Sequence, residues 1–214
     1  ARPAESNQLP TLTPPYGPDS HMFRQDVDAW LATVSTRYGV TLRQGLRIQD
    51  IAFEPDQVRL TAASGEQITT RFLVDGGGMR SLVASKLGLR DATPRFRTDT
   101  RTLYTHFAGL RPFDHVFTGD HGLPSPLGQG TMHNVFHGGW MWLIPFNNHR
   151  DATNPLVSVG VMLDRRRFGD PKGSPEDEFK AIIARFPTVA RHFEGAVPVR
   201  PWVASGRLQY SSPT

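Results

Sequence analysis

Phe72-Leu73-Val74-Asp75-Gly76-Gly77-Gly78-Met79-Arg80-Ser81 is the stretch that decides how this chain is put together. Its first three residues close a run that begins at Ile68. The spacing predicts a strand over 68–74 with an apolar end, the pattern of a buried parallel strand. Three glycines follow, then a short helix over 79–87 that Gly88 ends. Glycines between a buried strand and a helix let the backbone approach a ligand closely and turn helix N–H groups toward an anion. A tight strand-to-helix turn without a ligand uses the same residues, and the stretch alone leaves both readings open.

Upstream, Phe23, Val27, Trp30, Leu31, Val34 and Tyr38 recur at helical spacing and predict an amphipathic helix over 20–38. Asp19 or Ser20 can cap its start and Gly39 can end it. Short strands over 40–43, 46–53 and 57–63 come next, the last two joined through Glu54-Pro55-Asp56-Gln57, and Ser64-Gly65-Glu66 turns into the strand at 68. From residue 96 the strands lengthen: 100–110, 129–137, 139–146 and 156–163, the last pair split by Asn147-Asn148-His149-Arg150 and by Asn154-Pro155. Ser174-Pro175-Glu176-Asp177 opens a helix with a capping serine, a first-turn proline and acids facing the dipole. Phe179, Ile182, Ile183 and Phe186 form its buried stripe, Pro187 breaks it, and a second short helix runs to Phe193. Arg207-Leu208-Gln209-Tyr210-Ser211-Ser212 reads as a last strand with nothing after it. The order gives a mixed α/β (α+β) fold with a large antiparallel sheet in its second half.

A length of 214 residues, 38% hydrophobic and 21% charged, supports a folded core. The absence of cysteine excludes disulfides, a thiolate nucleophile and cysteine-ligated zinc or iron–sulfur sites. No apolar run approaches the roughly 18 residues of a membrane span. A chain without membrane association, located in the cytoplasm, is expected. The net charge of +4 raises the question of nucleic acid, but the arginines are scattered and the densest run is Arg165-Arg166-Arg167, so no nucleic-acid partner is expected. The chain opens on Ala1 in a Pro-rich stretch over 1–18 and stops in a strand, which reads as a piece of a longer reading frame.

Nucleotide-binding G-x-G-x-x-G, the Walker loop, G-x-S-x-G and H-E-x-x-H are all missing. His133 and His137 lie four apart in a strand that ends in a turn. Two imidazoles with no third ligand nearby argue for pocket-lining or partly buried rings, and no metal is expected. Trp140-Met141-Trp142-Leu143-Ile144-Pro145-Phe146 stands out more. In a strand, Trp140, Trp142 and Ile144 share one face as a rigid apolar wall, beside a proline that ends the pairing. A core strand would use the same alternation, but two tryptophans on one face suit an aromatic pocket or a cofactor surface better than a small core.

In this order these features resemble the flavin-dependent halogenases, the tryptophan-halogenase-like branch of the FAD-dependent oxidoreductases. Trp140-x-Trp142-x-Ile144-Pro145 matches the W-x-W-x-I-P motif of that family in full. Arg24-Gln25-Asp26-Val27-Asp28-Ala29-Trp30-Leu31 looks like its R-x-x-[apolar]-D-x-x-L helix. Phe72 to Ser81 looks like its strand ending V-D-A-S-G-R-x-S, and Arg207 to Ser211 resembles the strand before its second flavin-binding G-D motif. Gly76 and Gly77 replace an Ala-Ser pair, Met79 replaces an Arg, and Gly77 stands where related aromatic hydroxylases carry an Asp.

The resemblance implies an FAD-binding fold of the glutathione-reductase/aromatic-hydroxylase type, with a partial FAD-binding domain over 1–93 and a substrate-side sheet with helices over 94–214. It implies FAD as cofactor, halide and O₂ as co-substrates, an aromatic, phenolic or carrier-bound substrate, and a separate flavin reductase. Trp140, Trp142, Ile144 and Pro145 would line the active site, and Arg24, Asp75, Gly76, Gly77 and Gly78 would approach FAD. The catalytic Lys of the family has no counterpart here and is expected outside the chain, as are the nucleotide fingerprint and the G-D segment, so the 214 residues alone are expected to be inactive. An FAD-dependent monooxygenase or flavin reductase of the same fold is the alternative, or a non-enzymatic binding module if the chain is complete.

Overall fold

A computed structural model describes residues 5–8, 21–90, 96–120, 122, 126–148 and 151–212, and the side chains of all of these but 5–8. They divide into two compact units, Ala1–Arg24 with Thr98–Leu208, and Gln25–Arg97 with Gln209–Thr214. Among the described residues no helix is long and apolar enough to cross a membrane.

The first unit is a seven-stranded antiparallel sheet under short helices. Its strands are β1 (Glu5–Gln8), β5 (Thr100–Ala108), β6 (Met132–Phe136), β7 (Gly139–Pro145), β8 (Val157–Asp164), β9 (Val197–Pro198) and β10 (Val203–Ser205). They lie in the order β1-β6-β7-β8-β5-β10, with β9 also pairing β5. The helices are α3 (Phe113–Val116), α4 (Arg165–Phe168), α5 (Pro175–Ile183) and α6 (Pro187–Ala190). Strand alternation decides which way each side chain goes. Leu103 and Phe107 of β5, Met132 and Phe136 of β6, Met141 and Leu143 of β7, and the valines of β8 turn to one face and are buried. Phe179, Ile182 and Ile183 of α5, with Phe186 and Val189 beyond it, complete that core. As the sequence predicts, Ser174 caps α5, its hydroxyl accepting from the Asp177 N–H at 3.1 Å, with Pro175 in the first turn.

One charge sits in this core. Arg101, on the core face of β5, is 1% exposed. Its guanidinium donates to both carboxylate oxygens of Glu178 on α5 and, through Nε, to the Gly169 carbonyl at 2.8 Å. The fork satisfies a buried cation and ties α5 to the sheet.

The second unit holds α1 (Arg24–Arg37), which starts at the last residue of the first unit, a three-stranded meander β2 (Ile48–Phe53), β3 (Val58–Ala62) and β4 (Gln67–Thr70), and α2 (Leu82–Lys86). Here the sequence reading needs correction. The strand expected over 68–74 stops at Thr70, and Phe72 and Val74 are 82% and 93% exposed. Extended backbone becomes a strand only beside a partner, and among the described residues none pairs with 71–77. The helix over 20–38 forms as α1, yet buries none of its residues. No strand forms over 40–43 or 207–212, while β1 arises inside the Pro-rich start and pairs β6, where no strand is expected. The predicted caps Asp19 and Ser20, and His149 and Arg150 of the predicted turn, lie outside the described residues.

Candidate functional site

β7 builds the site. Met141 and Leu143 are committed to the core, so alternation delivers Trp140, Trp142 and Ile144 to the opposite face, all half-buried, with Pro145 at the strand end. The two indole rings stand 5.6 Å apart. Neighbouring strands extend this face with Tyr104 and His106 from β5, His133 from β6, and Ser158, Gly160 and Met162 from β8. Tyr104 approaches Trp142 at 6.2 Å, and His133 meets Trp140 edge-on at 5.0 Å. Trp142 Nε1 donates to Ser158 Oγ at 3.2 Å.

The segment leading into α1 closes one end of the wall. His21 Nδ1 lies 2.6 Å from the Pro145 carbonyl, which it can reach only as a donor, and His21 Nε2 lies 3.0 Å from the Thr131 hydroxyl. Phe23 fits between His106 and Phe146, at 5.5 and 5.1 Å. Burial pushes the His133 imidazole below its ordinary value; burial and then the nearby Arg200 do the same to His106. This face is aromatic and apolar, and burial disfavours the charged form of the His106 and His133 rings on it. It can exclude water from a flat ring.

Behind the same strand, Leu143 and Pro145 border a cavity of about 60 Å³ with Phe113, Asn147 and His192. His192 is buried, hydrogen-bonded through Nδ1 to the Arg111 carbonyl at 2.7 Å and stacked on Phe113. The space is too small for a dinucleotide.

In the second unit the turn at Asp75, for which the sequence leaves open a tight turn or a close approach to a ligand, is closed by the Asp75 side chain. The Asp75 carboxylate accepts from the Gly77 N–H at 2.7 Å, the Ser81 hydroxyl at 2.8 Å and the Val83 N–H at 2.9 Å. The Val83 N–H first, then that of Gly77 and the Ser81 hydroxyl, hold this carboxylate below its usual range. Asp75 thus fills the helix-start position that a bound anion would take. A Cβ on Gly77 would come within 2.8 Å of Asp75 Oδ1, whereas at Gly76 and Gly78 it would meet nothing within 4 Å. The turn presents bare backbone outward, which a flat or extended cofactor can approach closely. Arg90 braces it, Nη2 donating to the Gly78 and Met79 carbonyls at 2.7 Å while the guanidinium covers the Tyr210 ring. Arg24 is exposed at the first turn of α1.

The sequence profile of the tryptophan halogenase family matches residues 4–161, most of the chain. The chain belongs to this family. It is 44% identical over 210 residues to monodechloroaminopyrrolnitrin halogenase PrnC of Pseudomonas fluorescens, an alignment covering 98% of this chain and 37% of that protein. It is 43% identical over 215 residues to tetracycline 7-halogenase of Kitasatospora aureofaciens, covering 98% of this chain and 38% of that one. The crystal structure of halogenase PltM in complex with phloroglucinol and FAD superposes with a TM-score of 0.84 at 27% identity, over 98% of this chain and 45% of that chain. This halogenase-family chain therefore spans about two-fifths of the length of the curated relatives it matches. The fold is that of the FAD-dependent halogenases.

Of the residues singled out in the sequence, Trp140, Trp142, Ile144 and Pro145 share one strand, and Asp75 to Gly78 share one turn. His133, read from the sequence as a pocket-lining or partly buried ring, lies half-buried on the tryptophan face, whereas Tyr104, His106, Ser158, Gly160, His21 and Arg90 escape sequence reading. Tyr104 and His106 carried a signal, polar aromatics at alternate positions of a strand whose intervening positions include Leu103 and Phe107.

Proposed function

We propose that this chain is part of a flavin-dependent halogenase acting on a small aromatic or phenolic substrate, and that the β7 tryptophans wall the space between flavin and substrate. The observation that carries this is the exposure of the Trp140–Trp142 face on a strand whose opposite face already fills the core. A strand needing only stability has no use for two half-buried indoles, whereas a space that must exclude water does. The two curated relatives named above, both halogenases, and the halogenase PltM solved with FAD support the same assignment.

Residues 1–93 belong in this reading to a flavin-binding domain and 94–214 to the substrate side. A compact-unit boundary at Arg97/Thr98 favours that division, although the first unit also takes in residues up to Arg24. In the second unit the open backbone of Gly76 and Gly78 would approach FAD, and Arg24 is a separate candidate for contact with the cofactor. When bound in its reduced form, FAD would supply two electrons to O₂, whose activated oxygen would oxidise halide to hypohalous acid with release of water. A separate flavin reductase delivers the reduced cofactor. Trp140, Trp142 and Ile144 keep bulk water and the substrate ring away from that chemistry, and Pro145, held by His21, ends the wall.

The test is a product assay on the full-length enzyme. Trp142→Ala should lower halogenated product while hydrogen peroxide or hydroxylated product rises, at a melting temperature near that of the wild type. Halogenation equal to wild type would make the tryptophan face structural, and a collapsed melt would place Trp142 in the core.

A further inference from the structure

Gly160 sits in the middle of β8, buried, with valines on either side. Glycine weakens a strand interior because it packs nothing and costs chain entropy, so it signals a close approach by something else. That something is Trp142. A Cβ on Gly160 would lie 2.2 Å from Cζ2 and 2.5 Å from Cη2 of the Trp142 indole, and 2.5 Å from Cβ of Tyr104. These are far inside van der Waals contact. The backbone of Gly160 is not in the left-handed region, so the demand for glycine here is one of space. Gly160 is also the register partner of both Trp142 on β7 and Tyr104 on β5. The benzo edge of the indole therefore lies down on the bare backbone of β8 and reaches toward Tyr104. Two residues earlier on the same strand face, Ser158 Oγ accepts the indole N–H. Trp140 has no such seat, because its register partner is Met162 and its ring contacts are His133 and Trp142.

We propose that Ser158 and Gly160 are positioning residues, a seat on β8 that fixes the plane of the Trp142 indole. The inference rests on the role proposed above for Trp142, since a wall excludes water only while its planes are fixed. Steric contact from Gly160 sets how closely the ring lies on the sheet. The Ser158 hydroxyl sets its rotation within that plane, since a half-buried indole N–H needs an acceptor. The tryptophan motif of β7 thus has a second half, Ser158-Val159-Gly160, on the neighbouring strand. Any larger residue at 160 would turn the ring out of the wall while leaving both tryptophans in the sequence.

The test uses the full-length enzyme carrying Ser158→Ala, Ser158→Thr or Gly160→Ala, each in the wild type and with Trp142→Phe. Near-ultraviolet circular dichroism of the cofactor-free protein reads indole immobilisation; the ratio of halogenated product to hydrogen peroxide reads the wall. Ser158→Ala should weaken the indole bands and lower the ratio by about three- to tenfold, the worth of one hydrogen bond. Ser158→Thr, which keeps the hydroxyl, should restore both. Gly160→Ala should act in the same direction and more strongly. With Phe at 142 the effect of Ser158→Ala should disappear. Unchanged indole bands in Ser158→Ala, or effects of equal size with Phe at 142, overturn the proposal; if Gly160→Ala does not fold, the serine pair decides. An enzyme that makes no halogenated product would defeat the proposed function, while the dichroism would still show whether the seat exists.

Discussion

Two side chains of the first unit show what burial costs and what offsets it. Arg101 brings a permanent cation into the core, and its only carboxylate partner among the described residues is Glu178, 15% exposed. Removing that partner strands the charge, so Glu178→Ala should destabilise the chain by about 3–5 kcal/mol. Equilibrium denaturation of the full-length protein reads this directly, and a loss well below 1 kcal/mol would mean that water reaches Arg101. His192 behaves in the opposite sense. Burial is the main cause that pushes its imidazole below the ordinary value, with Arg111 and Arg191 adding to it against the hydrogen bond from Nδ1 to the Arg111 carbonyl. As pH falls below about 6.5 the unfolded chain takes up this proton first, so the stability His192 contributes above that pH is lost until pH passes the lower, folded value. His106 and His133 shift the same way. The melting temperature should therefore drop on mild acidification, before carboxylates titrate, and His192→Gln should flatten that slope. A slope identical to wild type in His192→Gln would show that the ring is already solvated.

At the scale of elements, legibility followed locality. α5 could be read from Ser174, Pro175 and four apolar residues because cap, first turn and stripe all lie within a dozen positions. β7 could be read because strict alternation forces Trp140 and Trp142 to one face wherever the strand goes. The failures share a cause. Phe72-Leu73-Val74 has the composition of a central strand, but pairing depends on a neighbour that the stretch itself does not encode. α1 has the spacing of a buried helix and buries nothing, because spacing defines a face without saying what covers it. In the Asp75 turn the glycines were visible, but the helix N–H groups go to the carboxylate of Asp75 itself, an Asx-type use of the side chain that competes with any bound anion. Gly160 was invisible for a related reason. Its meaning is the indole lying on it, and that indole comes from another strand.

For the whole molecule, the second unit poses a problem that the first does not. Trp30, Tyr38, Phe72 and Val74 are large, apolar and exposed, and all belong to the same unit. Scattered apolar residues on a surface need no explanation, but Phe72 and Val74 lie two apart in a stretch that pairs with no strand among the described residues. The curated relatives are more than twice as long as this chain. In the full-length protein we expect 71–75 to be a paired interior strand, as its composition demands. The same substitution should then have opposite effects at the two lengths. In the 214-residue chain, Phe72→Ser with Val74→Ser removes apolar surface and should reduce self-association, seen as a shift toward monomer in analytical ultracentrifugation. In the full-length protein the pair removes two core side chains, and replacing one buried Phe alone costs about 3–5 kcal/mol, so its melting temperature should fall steeply. Melting temperatures unchanged in the full-length protein would leave 71–75 on the surface at both lengths, and the apolar run would then need another explanation than a missing neighbour.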